Sequence, residues 1–211
     1  MPSFGFSLAE SAISGAFKSV NPFVKDRESG GINWANYNYP PCFGIMHYDI
    51  DDIKNEELQG EVLKMHRVFL ISLVTCILNL FDNVIDASFY TGPTWNWVIY
   101  SILNFFLIVP ISLYIFYIGS RGLTAVDSSL LQRYSIMGVI QVIFLFLFTV
   151  MPFGAMNGLL SFAMYKVTWY WAVAVVVESA LWATAFALCL SSVIYVIKKD
   201  YNGLPIASRT K

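Results

Sequence analysis

The side chains of this chain that are able to do chemistry stand where charge is most costly. Asn79, Asp82, Asn83 and Asp86 fall at i, i+3, i+4 and i+7 within an otherwise apolar run, so on a helix they form one stripe. Asn104, Gln141 and Glu178 each interrupt a further apolar run. If these runs cross a membrane, Asp82 sits about 21 Å along its helix, at 1.5 Å per residue, and Glu178 falls at a similar depth. Intramembrane carboxylates suit a proton or cation path. They suit equally a seam of interhelical hydrogen bonds, with the acids protonated or wetted from one side. The seam is the preferred reading, because the broken, Gly/Pro-interrupted repeats of secondary transporters are not evident.

Other reactive sets are scarce. The two histidines, His47 and His66, precede the first apolar run. No nucleophile elbow, zinc-protease helix or phosphate-cradling glycine loop occurs. Cys42, Cys76 and Cys189 have neither zinc spacing nor a C-x-x-C arrangement. The expectation is a non-enzyme with no catalytic residues, no metal and no cofactor. A net charge of −1 without a basic patch argues against nucleic acid as a partner.

The elements that hold these residues follow from composition. Of 211 residues, 57% are hydrophobic and only 13% charged, too apolar for one small soluble domain. The excess collects in four runs, at about 68–90, 97–118, 134–153 and 169–197, each near the roughly 20 residues a membrane helix requires. The expected fold is all-α, a polytopic four-transmembrane-helix bundle. No cleavable signal peptide is expected ahead of the first run. Twelve of the 13 Lys and Arg fall before run one, between runs two and three, or after run four, and Lys166 alone falls elsewhere. The positive-inside rule then places both termini in the cytosol. Trp95, Trp97, Tyr165, Trp169, Tyr170 and Trp171 would form an interfacial belt at the lumenal edge. The second lumenal connection, residues 154–168, is apolar and would lie in the interface.

The segments expected are a cytosolic arm (1–47), an amphipathic interfacial helix (48–67), the membrane domain (68–197) and a cytosolic tail (198–211). In the arm, Ser7 and Glu10 have capping-box spacing ahead of an apolar face. Asn21-Pro22-Phe23 makes a turn that presents Phe23, the chemistry read by endocytic EH domains. Residues 49–67 carry an apolar stripe with acids at the start and bases at the end, in line with the helix dipole. A helix along the leaflet is expected there, with a simple extension of span one as the alternative.

Between these elements lies Asn38-Tyr39-Pro40-Pro41, with His47, Asp49 and Ile50 following. The pattern resembles the pre-membrane signature of secretory carrier-associated membrane proteins, with Tyr39 in place of a Trp. The NPF triplet, the Asn-rich first span, Pro110, Tyr117, Asp127-Ser128 and Pro152-Phe153-Gly154 agree in order, over roughly residues 21–203. The chain reads as a divergent, minimal member. The resemblance implies an integral protein of post-Golgi vesicles, endosomes, trans-Golgi network or plasma membrane. Its role would be non-catalytic, in vesicle trafficking, with EH-domain adaptors, the lipid bilayer, acidic phospholipids and a second copy of itself as partners. The signature segment would lie against the cytosolic leaflet. The family's loop between spans two and three is strongly basic. Residues 116–125 here keep only Arg121, with Arg133 further on, so lipid contact through these two would be weak. The alternatives are a small proton or cation transporter using the carboxylates, and a structural subunit of a larger membrane complex.

Overall fold

A computed structural model describes residues 32–89, 95–164 and 169–201. The amphipathic segment 4–20, the Asn21-Pro22-Phe23 turn, Tyr165, Lys166 and the tail beyond 201 lie outside the described residues. The fold is all-helical, with 77% of the described residues in helix. It comprises α1 (Glu56–Phe89), α2 (Trp95–Thr124), α3 (Ser128–Val150), the short α4 (Ser161–Met164) and α5 (Trp169–Tyr201). The four long helices are each long and apolar enough to cross a membrane. Around the bundle the order is α1, α2, α3, α5, and α5 closes back on α1. One end carries residues 32–55, the α2–α3 turn and the end of α5. It is called here the hairpin end. The other carries residues 151–164 and is called the loop end.

Helix boundaries follow from their caps. The Asn55 side chain accepts from the Glu57 and Leu58 backbone N–H groups at 2.9 and 3.2 Å, satisfying two of the orphan donors of the first turn. Glu56 and Glu57 open α1, and Lys198 and Lys199 lie in the last turn of α5, each suiting the local end of the helix dipole. α2 runs on to Thr124, beyond the expected end near 118, because residues 119–124 pack against α3 and α1 instead of entering a long loop. Only residues 125–127 connect α2 to α3. Asp127 caps α3, accepting from Ser129 N at 2.9 Å, Ser129 Oγ at 2.7 Å and Leu130 N at 3.3 Å. Burial pushes this carboxyl up, but those hydrogen bonds and the Arg121 charge outweigh it and hold it below the ordinary aspartate range.

The segment expected as a separate surface helix over 48–67 is different here. Residues 49–55 are non-helical, and 56–67 continue without a break into the span. The apolar stripe is covered by protein: Ile53, Val62 and Met65 are buried. Met65 packs at Gly119, where an added Cβ would lie 2.8 Å from its Sδ and 2.6 Å from the Tyr134 ring. An extension that is already covered has no need of the leaflet.

Close approach of α3 to α5 depends on Gly138. A Cβ there would lie 2.6 Å from Val193 Cγ2, nearer than such contacts allow, and overpacking of this kind costs about 1–3 kcal/mol. Gly138→Ala is therefore expected to lower the thermal midpoint of the detergent-solubilised protein. Adding Val193→Ala should restore much of the loss, read by temperature-resolved gel filtration.

Candidate functional site

At the hairpin end the signature residues form a small folded unit. Tyr39 pairs with Met46 in an isolated antiparallel bridge, and Gly44 turns the chain with φ of 53°, a left-handed conformation that favours glycine. The Tyr39-Pro40 peptide is cis. Asn38 closes the base: its Nδ2 donates to the Tyr48 carbonyl at 3.1 Å and its Oδ1 accepts from Tyr48 N at 2.8 Å. His47 is buried, with Nδ1 2.9 Å from the Asn36 carbonyl and Nε2 2.7 Å from Asp52 Oδ2. Both ring nitrogens thus face acceptors.

This hairpin is docked on α1 and α2. Tyr39 Oη is 2.8 Å from His66 Nε2, and its ring lies edge-on to His66 (5.3 Å) and Phe116 (6.0 Å). Tyr48 packs on the same pair, 4.7 Å from His66 and 5.1 Å from Phe116. Phe116 is fully buried beneath them. Edge-to-face aromatic pairs contribute about 0.5–1.5 kcal/mol each beyond area burial. The signature therefore faces protein at Tyr39, His47 and Tyr48, while Pro41, Cys42 and Phe43 at the tip, with Asp49 further on, are exposed. Ile50 packs partly buried against the core. Burial first, and then the neighbouring Tyr48, push the Tyr39 phenol from 10.0 up to about 12.

Arg121 is engaged in the same unit. Its Nη1 donates to Tyr117 Oη, and its guanidinium lies 5.5 Å from the Trp34 ring centre, a cation–π distance. The basic residue expected to touch lipid is thus occupied within the protein, and Tyr117 stands on α2, not in a loop. Arg133 lies exposed on α3.

The intramembrane polar residues gather towards the loop end, with one exception. Glu178 is fully buried, accepting from Asn79 Nδ2 at Oε2 and from Asn157 Nδ2 at Oε1, both at 3.0 Å. Asn79 also donates to the Ala155 carbonyl at 2.8 Å and accepts from Ser101 Oγ at 2.9 Å. Asn83 donates to Ser101 Oγ at 2.7 Å and to the Asn79 carbonyl at 2.9 Å. Asp82 accepts from Tyr170 Oη at 2.7 Å. Asp86 is buried with both oxygens unpartnered among the described residues. Gln141 stands apart, donating to Ser112 Oγ at 3.1 Å and facing Cys189 Sγ at 3.7 Å.

The connection after α3 is what completes this network. Instead of lying in the interface, it folds into the bundle: Ala155, Met156, Asn157 and Ser161 are buried. Gly154 and Ala155 take φ of 59° and 68°, and their carbonyls accept from Asn104 and from Asn79 and Asn83. Leu159 N and Leu160 N donate to the Thr149 and Val150 carbonyls at 3.0 and 2.8 Å, satisfying the open end of α3. A Cβ at Gly158 would strike the Met151 backbone, so the return requires glycine there. Asn157 escaped the sequence reading, although it is the one amide in an apolar stretch. Trp171 and Tyr170, expected in the interfacial belt, turn inward: Trp171 Nε1 donates to Asn157 Oδ1 at 2.9 Å. Trp95 and Trp169 are exposed.

With this geometry in view, the comparison with protein families is specific. The SCAMP family model matches residues 36–202. The chain belongs to the SCAMP family, and so to a class of membrane-trafficking proteins that are in general not enzymes. It is an integral membrane protein. Comparison with curated proteins and with solved structures gave no match.

Two outcomes test these units. Asn157→Leu would remove the amide that donates to Glu178 Oε1 and accepts from the Trp171 indole N–H, a loss of about 1–3 kcal/mol for a buried group deprived of its hydrogen bond. It should destabilise the bundle more than Gln141→Leu, by thermal unfolding in detergent. The folded state favours the neutral Tyr39 phenol. Its contribution is complete below pH 10.0 and is lost as pH rises towards about 12. Difference absorbance at alkaline pH should show one tyrosine ionising late, and Tyr39→Phe should remove that step.

Proposed function

We propose that this protein serves as a non-catalytic component of post-Golgi and endosomal recycling membranes, recruiting EH-domain adaptors through Asn21-Pro22-Phe23. The observation that carries the reading is the docked hairpin. Tyr39 and Tyr48, clamped on His66 and Phe116, tether the chain that follows the NPF triplet to one end of a membrane bundle. A short tripeptide has little contact area to offer, so its recognition gains from being held at a fixed place on the vesicle surface. Sorting of Lys and Arg supports a cytosolic hairpin end, which is where adaptors are found. Family membership over residues 36–202 supports the trafficking role.

Lipid attraction through the α2–α3 connection is not part of this reading for Arg121, whose guanidinium is taken up by Trp34 and Tyr117. Each basic residue near an anionic leaflet contributes about 1 kcal/mol, and this one is spent on holding the hairpin.

The full-length protein in detergent is expected to bind an EH domain saturably. Phe23→Ala should weaken that binding at least about tenfold, or about 1.4 kcal/mol, and shift a tagged copy away from recycling compartments. Equal affinity of the Phe23→Ala protein would overturn the adaptor role.

A further inference from the structure

The carboxylates between α1 and α5 do more than join helices. Asn79 and Asp82 lie one turn apart on α1 and both bond to α5, Asn79 to Glu178 and Asp82 to Tyr170, so the two carboxyls line one α1–α5 seam, where they can bond to each other only when one of them carries a proton. The groups that surround them confirm how little else is available to balance charge. α1 contributes Asp82, Asp86, Asn79 and Asn83. α2 contributes Ser101, the returning segment contributes Asn157, and α5 contributes Tyr170 and Glu178 itself. No Lys, Arg or His is among the partners of this cluster in the described residues, and no group of three or more acidic, Cys or His side chains there could hold a metal ion. A second observation points to the same ligand. Asp86, one helical turn beyond Asp82 on the same face, is 2% exposed, yet both of its oxygens lack a partner among the described residues. A buried carboxylate left so is costly unless a proton neutralises it.

We infer that Asp82 and Glu178 form a proton-binding site that takes up one proton from the loop end of the bundle through Asp86. In the loaded state one carboxyl O–H donates to the opposed carboxylate, and α1 is bonded to α5. When the proton leaves, two like charges face each other in a medium of low dielectric and the contact loosens. The hairpin side of the site is closed by packing. On the hairpin side of Glu178 stand Trp182, Phe148, Cys76 and Leu145, all buried, with the Phe148 and Trp182 rings 5.2 Å apart. The arrangement is that of a sensor, not a conduit. With the orientation of the preceding subsection, on which this last step alone rests, the site reads the pH of the lumen.

Infrared difference spectroscopy of the full-length protein in proteoliposomes tests the site. At neutral pH two carbonyl stretches of protonated carboxyls, shifted by deuterium oxide, are expected, one from Asp86 and, as the diagnostic band, one from the Asp82–Glu178 pair. Glu178→Gln, which copies the shape and hydrogen bonding of the protonated acid, should fold normally and lose the diagnostic band alone. Asp82→Asn should lose it as well, and its folding is checked by gel filtration. Asp86→Asn should remove its own band, keep the diagnostic band and slow the isotope exchange of the latter several-fold. A wild-type spectrum without the diagnostic band overturns the proposal. So does a diagnostic band unchanged in both Glu178→Gln and Asp82→Asn. With an entrapped pH dye no proton flux is expected, and a flux abolished by Asp82→Asn would overturn one-sided access. Phe23→Ala should leave the band in place, so failure of adaptor binding and failure of the proton site are separable. An exchange rate that follows the pH of the hairpin side would overturn the assigned direction.

Discussion

A carboxylate with no exposure inside a lipid-spanning bundle is the constraint on which the loop end is built. Glu178 cannot be left unpaired, because an unpaired buried charge costs several kcal/mol. Its two oxygens are each met by an amide, Asn79 from α1 and Asn157 from the returning segment. Those amides in turn need partners, and find them in Ser101, the Ala155 carbonyl and the Trp171 indole. One acid therefore fixes the spacing of α1, α2 and α5 and draws a loop into the bundle. Left-handed backbone at Ala155, costly for a residue with a side chain, is explained by the same need. It directs carbonyls onto Asn79 and Asn83.

The hairpin end solves a different problem by different means. There the charge is abundant, and what must be supplied is shape. Tyr39, Tyr48, His66, Phe69 and Phe116 make a continuous aromatic layer, capped by a bridge of minimal length. Burial of rings holds the segment, and the polar tips of Tyr39 and His66 satisfy each other. The two ends are linked by glycine. Gly119 and Gly138 let Tyr134 and Val193 approach the neighbouring backbones, so the helices stay close along their length where no polar group binds them.

The helices and the polar stripe were legible in the sequence for simple reasons. Apolar runs of this length leave one structural choice in lipid, and a 3.6-residue period placed Asn79, Asp82, Asn83 and Asp86 on one face, with Glu178 expected only at a similar depth. The legible part stopped where local pattern and tertiary packing diverge. Residues 56–67 have the amphipathic look of a surface helix, but their apolar face meets Ile53, α2 and α3, not a leaflet. Tyr170 and Trp171 have the composition of an interfacial belt, and a belt has no use for hydrogen bonds to Asp82 and Asn157. The inward turn of residues 154–158 carries no periodicity at all. Its only sign was an asparagine between Met156 and Gly158, too short a signal to distinguish a buried cap from an ordinary turn.

The fate of Arg121 shows how these facts bear on a trafficking protein. A basic connection between α2 and α3 acts on lipid only if its cations are free to leave the protein surface. Here α2 continues to Thr124 and the connection shrinks to residues 125–127, so its length cannot carry charge outward. The remaining guanidinium lies over Trp34, ahead of the hairpin. Charge that would address a membrane electrostatically instead packs on the ring of Trp34. The hairpin end thus keeps this guanidinium against its own aromatic rings, while Phe43 and Ile45 at the tip stay exposed, so what the tip offers a partner is apolar surface and not charge.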